Sequence, residues 1–161
     1  MNLTSKAAPE FEGISGWINS DGLSIQGLRG KVVFLDFWTY GCINCQRTLP
    51  SMKEIHSKYS KDGLVVVGVH TPEFPYERKR ENVEKFVASA GLTYPIALDS
   101  QNSTWKLYGN HYWPRQTLID SNGVVRYEHV GEGDYLEIGS RVVELLKEAK
   151  TPPHEDLQAQ R

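Results

Sequence analysis

Two short runs of almost unbroken apolar character, Val32-Val33-Phe34-Leu35-Asp36-Phe37-Trp38 and Leu64-Val65-Val66-Val67-Gly68-Val69, flank a segment of helical periodicity. Strands of that kind are apolar on both faces and belong inside a sheet covered on both sides. Between them Leu49, Met52, Ile55 and Tyr59 recur at the spacing of one helix face, which predicts a helix from about Cys42 to Ser60. Strand, helix and strand in this order imply a parallel pair joined by a right-handed crossover. Pro50 falls inside the helix, where its ring displaces one backbone hydrogen bond and predicts a kink.

Around this unit the chain reads as further short elements. Trp17 to Ile25 predicts an N-terminal hairpin turning at Asp21-Gly22. After a loop from His70 to Glu77, the spacing of Val83, Phe86, Val87 and Ala90 predicts a helix stopped by Gly91. Ile96-Ala97-Leu98 reads as a short edge segment and Asn102 to Tyr108 as a short helix. Gln116 to Asp120 and Val124 to Glu128 predict a hairpin through Asn122-Gly123. A last helix is expected from Asp134, with Asp134 and Glu137 at capping-box spacing and Tyr135, Ile138, Val142 and Leu145 or Leu146 facing inward.

At 161 residues the chain suits one compact domain, placed at residues 1–150, with the polar run from Thr151 onward expected as a mobile tail. A net charge of -2 with mixed signs gives no electrostatic grip on nucleic acid or anionic lipid. The cluster Arg78-Lys79-Arg80, flanked by Glu77 and Glu81, reads as a solvated helix face. No stretch is long enough to span a bilayer and none near Met1 resembles a signal peptide. A cytoplasmic location is expected if Met1 is the native start, and an extracytoplasmic one if an export signal or anchor has been trimmed.

The only two cysteines, Cys42 and Cys45, sit where the first strand gives way to the helix. A thiol at a helix N-terminus lies in the positive end of the helix dipole, which favours the nucleophilic thiolate, and a second thiol one turn later can close a disulfide. Cys42, nearer the exposed helix end, is expected to attack, and Cys45 to resolve the mixed disulfide. The spacer Ile43-Asn44 leaves the amide of Asn44 available as a donor where a proline would have none. A zinc site normally takes four ligands, and no second C-x-x-C or H-x-x-x-H exists to complete one. An inert structural disulfide is the other alternative. No cofactor is expected.

Asp36 is the one carboxylate in its apolar run. Strand alternation puts it on the face of Phe34 and Trp38, beneath the helix that carries Cys45, where desolvation raises its pKa and suits it to exchange a proton with the resolving thiol. His70 and Glu73 follow the C-terminal end of the second strand, an edge shared with Cys42, and are candidates for the rim of the site. Trp113 offers a flat apolar contact beside Pro114, or simply a core or rim aromatic with Tyr112 and Trp105.

The run from Asp36 to Cys45, with Pro50 and with Pro114 ahead of an apolar strand, resembles the signature of the thioredoxin superfamily. More narrowly, F-W-T-Y-G-C-I-N-C-Q-R from Phe37, G-V-H-T-P-E-F from Gly68, Y-G-N-H-Y-W-P-R from Tyr108 and G-E-G-D-Y from Gly131 are similar to the DipZ-like branch of the TlpA/ResA thioredoxins, over roughly residues 10 to 148. The resemblance implies a three-layer α/β fold, a central mixed sheet flanked by helices, with an N-terminal hairpin extension and an insertion after the second core strand. It implies a cis Trp113-Pro114 bond, with Trp113, Pro114, Tyr40 and Gly41 on the substrate side and a proton-relay role for Asp36. It also implies a monomer that exchanges disulfides with partner proteins, supplied by a membrane thiol transporter of the CcdA kind or by a thioredoxin system. ResA-type proteins place a glutamate where this chain has Thr48, which removes acid-base help from that side.

Three activities follow. Protein thiol-disulfide exchange is favoured. A thiol peroxidase using Cys42 is the runner-up, since Thr39 precedes Cys42 by three residues as in peroxiredoxins, although Leu35 stands where those have proline. A non-catalytic adaptor is hard to reconcile with an intact thiol pair.

Overall fold

The computed structural model describes residues 6–150, so the tail expected from Thr151 lies outside the described residues. Its strands are β1 (Lys6–Ala7), β2 (Trp17–Ile18), β3 (Val32–Trp38), β4 (Leu64–His70), β5 (Ile96–Leu98), β6 (Arg115–Ile119) and β7 (Val124–Val130). The helices are α1 (Ile43–Tyr59), α2 (Arg80–Ala90), α3 (Ser103–Leu107) and α4 (Tyr135–Lys150). The strands form one mixed sheet in the order β1-β7-β6-β3-β4-β5-β2. β3 runs parallel to β4 and β4 to β5, while β3 pairs antiparallel with β6.

The two apolar runs thus occupy the middle of the sheet, and every residue of β3 is buried. Alternation sorts their side chains into two cores. Val32, Phe34, Trp38 and Val66 pack with Cys45, Leu49 and Met52 of α1, Val83 and Val87 of α2, and Ile138, Val142, Leu145 and Leu146 of α4. Val33, Leu35, Phe37, Val67 and Val69 pack on the other face against Trp105, Tyr108, Ile25 and Leu28. This is the expected three-layer arrangement, with α2 and β5 inserted after β4. α1 runs on through Pro50 as one helix.

Gly68 is the point of closest packing beside the site. It pairs with Asp36 across β3 and β4, and a Cβ there would stand 2.9 Å from Trp38 Nε1 and from Ile96 Cδ1 and 3.1 Å from the Tyr94 ring. Only glycine lets these side chains close over the strand at that spot.

Two local expectations fail. The hairpin at Trp17–Ile25 does not form: Trp17 and Ile18 pair instead with Ala97 and Ile96, so that β5 is covered by β2 and is not an edge. Backbone groups of the expected second strand are engaged elsewhere: Ile25 N–H donates to Glu10 Oε2 at 2.6 Å and the Ser24 carbonyl accepts from Leu28 N–H at 3.1 Å. Asn19, at φ +64°, fixes the first segment by donating from Nδ2 to the carbonyls of Leu92 and Tyr94. An isolated pair of such short strands is at best marginal, so these longer-range bonds decide. At α4, the carboxylates of Asp134 and Glu137 accept from His129 Nε2 and Arg141 Nε in place of a capping box. Arg78, Lys79 and Arg80 are exposed, as expected, while Glu77 beside them is 1% exposed.

Candidate active site

β3 ends at Trp38, and the three residues Thr39-Tyr40-Gly41 carry the chain over the sheet edge to Cys42, the N-cap of α1. Cys42 has an extended backbone, φ -94° and ψ 120°, and its Sγ accepts a hydrogen bond from the Cys45 N–H at 3.2 Å. A helix N-terminus leaves such donors without intrahelical partners, and here one of them stabilises negative charge on the sulfur. Cys42 is half-buried and Cys45 fully buried, and both thiols are free. Burial is the main cause that holds the Cys45 thiol far above the ordinary thiol range, followed by its hydrogen bond to Cys42, while the charge of Asp36 adds to the rise. Cys45 therefore stays protonated and faces its partner sulfur.

Asp36 lies fully buried beneath that thiol, as strand alternation requires. Desolvation pushes its pKa from 3.8 to about 7, against a lowering hydrogen bond from Gln116. Gln116 Nε2 donates to Oδ1 at 3.3 Å, and Oδ2 has no hydrogen-bond partner among the described residues. A buried carboxylate poised near neutrality is suited to take up and return a proton. Thr48, which replaces the ResA-type glutamate, donates its hydroxyl to the carbonyls of Cys45 and Asn44 at 2.8 and 3.0 Å, so no acid-base group enters from that side.

His70 and Glu73 turn out differently from each other. His70 is 2% exposed, and burial drives its pKa down to about 3, which keeps the ring neutral. Its Nε2 accepts from the Tyr40 N–H at 3.3 Å and lies 3.2 Å from Thr39 Oγ1, and its ring stacks on Tyr40. It holds the loop ahead of Cys42. The Glu73 side chain is exposed, and only its backbone N–H takes part, donating to Glu77 Oε1 at 2.8 Å. The buried carboxylate of this loop is Glu77, whose Oε1 also accepts from Thr39 Oγ1 at 2.6 Å and from the Phe74 N–H at 3.3 Å. Sequence reasoning missed Glu77 because it opens a charged run; its one signal is its place three residues after Phe74 at the start of a helical turn.

Glu77 also explains the glycine before the first cysteine. A Cβ at Gly41 would collide with Glu77 Oε2. Gly41→Ala is expected to displace that carboxylate from its three donors and lower stability by about 1–3 kcal/mol, the range for overpacking a filled site. Chemical denaturation of the two proteins at one pH measures it, and equal midpoints would exclude the clash.

The Trp113–Pro114 peptide is cis, as the resemblance implies, and Pro114 is buried. Trp113 is half-buried, stacks on Trp105 with centroids 4.0 Å apart, and donates from Nε1 to the Thr71 carbonyl at 2.8 Å. It touches both cores. Two exposed apolar side chains are Ile43, beside Cys42 in the chain, and Tyr76, whose ring meets Tyr40 edge-on and stacks on Phe74. Among the described residues no group of three or more His, Cys, Asp or Glu side chains is placed to hold a metal ion, and no helix is long and apolar enough to cross a membrane.

This arrangement has known counterparts. Residues 4–128 match the model of the AhpC/TSA family. The chain is 48% identical over 146 residues to protein DipZ of Mycobacterium tuberculosis, a match that covers 89% of this chain and 21% of DipZ. It is 41% identical over 98 residues to the thiol-disulfide oxidoreductase ResA of Geobacillus thermodenitrificans, covering 61% of this chain and 53% of ResA. The chain therefore spans about a fifth of the length of DipZ and about half that of ResA. Among solved structures, a thioredoxin-like protein in its oxidised form superposes with a TM-score of 0.81 at 28% identity, covering 92% of this chain and 99% of that one. With a free thiol pair at a helix N-terminus, a buried aspartate below it and a matching sheet, the chain belongs to the AhpC/TSA family and has a thioredoxin-like fold.

Proposed function

We propose that the chain exchanges its Cys42-Cys45 dithiol with disulfides of partner proteins, Cys42 acting as nucleophile, Cys45 as resolving thiol and Asp36 as the proton acceptor of Cys45. The observation that carries this reading is the unequal pair: an accessible Cys42 sulfur with a backbone N–H aimed at it, and a buried, protonated Cys45 facing that sulfur above Asp36. The Cys42 thiolate attacks one sulfur of a client disulfide, forming a mixed disulfide and releasing the other as a thiolate. Cys45 then gives its proton to the Asp36 carboxylate and attacks Cys42 Sγ, which closes the intramolecular disulfide and releases the second client thiolate. Two electrons pass to the client, and the reverse sequence restores the dithiol from a donor, a membrane thiol transporter or a thioredoxin system.

Ile43, next to Cys42 in the chain, and the mutually stacked Phe74 and Tyr76, the latter against Tyr40, are exposed apolar side chains, suited to segments of polypeptide rather than to a small polar substrate. Peroxide reduction loses its ground, because the Thr39 hydroxyl on which it rested is engaged by Glu77 and His70.

The test is Cys45→Ser. Without the resolving thiol, mixed disulfides with client proteins are expected to accumulate through Cys42 and to survive non-reducing electrophoresis, and to be absent from the double variant Cys42→Ser/Cys45→Ser. Failure to trap any client, together with thiol-dependent consumption of peroxide by the wild-type chain, would transfer the assignment to a peroxidase.

A further inference from the structure

The polar neighbours of Asp36 form a row that the disulfide chemistry described above does not use. Asp36 on β3 pairs in register with Gln116 on β6, and Gln116 with His129 on β7. Directly opposed residues on adjacent strands share a face, so the three side chains stand in line across the sheet. Their hydrogen bonds follow that line: Gln116 Nε2 to Asp36 Oδ1 at 3.3 Å, Gln116 Oε1 to His129 Nδ1 at 2.8 Å, and His129 Nε2 to Asp134 Oδ2 at 3.1 Å. Exposure rises along the row: Asp36 and Gln116 are fully buried, while the side chain of His129 is 10% exposed and that of Asp134 69%.

We infer that His129 and Gln116 are positioning residues for Asp36, and that the orientation of the Gln116 amide ties the protonation of Asp36 to that of His129. This rests on the reading of Asp36 as the proton acceptor of Cys45. A carboxamide has a donating end and an accepting end, so it satisfies its two neighbours in only two ways. In one, the NH₂ group faces an ionised Asp36 and the carbonyl accepts from a His129 Nδ1–H, while Nε2–H donates to Asp134; both ring nitrogens then carry protons. In the other, the amide has turned over, a protonated Asp36 donates to the carbonyl, and the NH₂ group donates to the bare Nδ1 of a neutral His129. An ionised Asp36 therefore goes with a charged His129 and a protonated Asp36 with a neutral one. The remaining groups facing Asp36 do not offer this choice: Cys45 and Tyr94 both sense its charge but sit on the other elements packed over it, and its neighbour on β4 is Gly68.

The consequence is that the near-surface imidazole sets how readily the buried aspartate accepts the proton of Cys45. Removing the Nδ1–H donor frees the amide to present its carbonyl, which favours the protonated carboxyl. His129→Phe is thus expected to move the titration midpoint of Asp36 upward by about one pH unit, a tenfold change in its acid-to-carboxylate ratio at a given pH. Gln116→Met moves it the same way, and adding His129→Phe to Gln116→Met has no further effect, since the two act through one amide. His129→Asn, whose side-chain NH₂ can replace the lost donor, restores the midpoint. Asp134→Asn, at an exposed position, shifts it in the same direction by less.

Two readouts on the reduced protein keep the layers apart. The ¹³C resonance of the Asp36 carboxyl reports its titration directly, and the pH profile of Cys45 attack, followed in single turnovers, reports its use. Asp36→Asn removes the midpoint from the rate profile if the aspartate serves the exchange; an unchanged profile overturns that role, while the ¹³C titration still tests the coupling. A ¹³C midpoint that His129→Phe and Gln116→Met leave in place overturns the coupling and leaves the role of Asp36 standing.

Discussion

Cys42→Ser is expected to take disulfide reduction of an insulin substrate down to background, a loss on the order of a thousandfold or more, because the hydroxyl that replaces the nucleophile is not ionised near neutral pH. Its fold is expected to persist, since the residue is half-buried at a helix cap and a serine oxygen still accepts the Cys45 N–H. The same geometry predicts a lopsided chemistry in the wild-type dithiol. Iodoacetamide should alkylate Cys42 well before Cys45, which is fully buried and held protonated. Mass spectrometry of partially modified protein gives the order, and equal labelling of the two positions would dismiss the division of labour between them.

Asp36→Asn is expected to make the protein more stable and less active. Burial raises the folded-state pKa of Asp36 from 3.8 to about 7, so between those values the native state keeps a proton that the unfolded chain releases. Stability then falls as pH rises through that window, and is lowest once the carboxylate is ionised in both states. At about 1.4 kcal/mol per pH unit the difference is on the order of 4 kcal/mol by pH 8. Asparagine has no charge to desolvate, so the variant should gain most of that amount at pH 8 and almost none at pH 4, as read from urea denaturation of both reduced proteins. A gain of equal size at the two pH values would show that packing, not ionisation, is responsible. The native aspartate thus weakens the fold, a cost expected of a residue kept for the proposed proton transfer.

The central part of this fold can be read directly from local pattern. β3, α1 and β4 lie within a residue or so of where apolar runs and helical spacing put them, and Asp36 lies on the face that alternation assigns. Each depends on neighbours in the chain, where periodicity is strongest. What was hidden depends on partners far away in sequence. β2 gives its hydrogen bonds to β5, nearly eighty residues on, and its own neighbourhood contains a plausible turn that the fold ignores. Glu77 looks solvated among Arg78, Lys79 and Arg80 until the chain folds back onto Thr39. The Gln116–His129 row needs the register of three strands, which no local pattern supplies, although Gln116 shares the inward face of its strand with Leu118 and so marks a buried amide. The helix, the thiols and Asp36 were legible because they lie on elements whose pattern is local; Glu77 and the Gln116–His129 row were not, because their partners come from other strands and loops.

The two outermost strands of the described sheet are each only two residues long, β1 against β7 and β2 against β5. Long, flat, open margins are where foreign chains add on and seed aggregates. Clients whose disulfides this protein is proposed to reduce leave it with unpaired cysteines and loosened folds, so such chains are close at hand. Margins this short, one of them bearing Lys6, offer stray polypeptide little to zip onto.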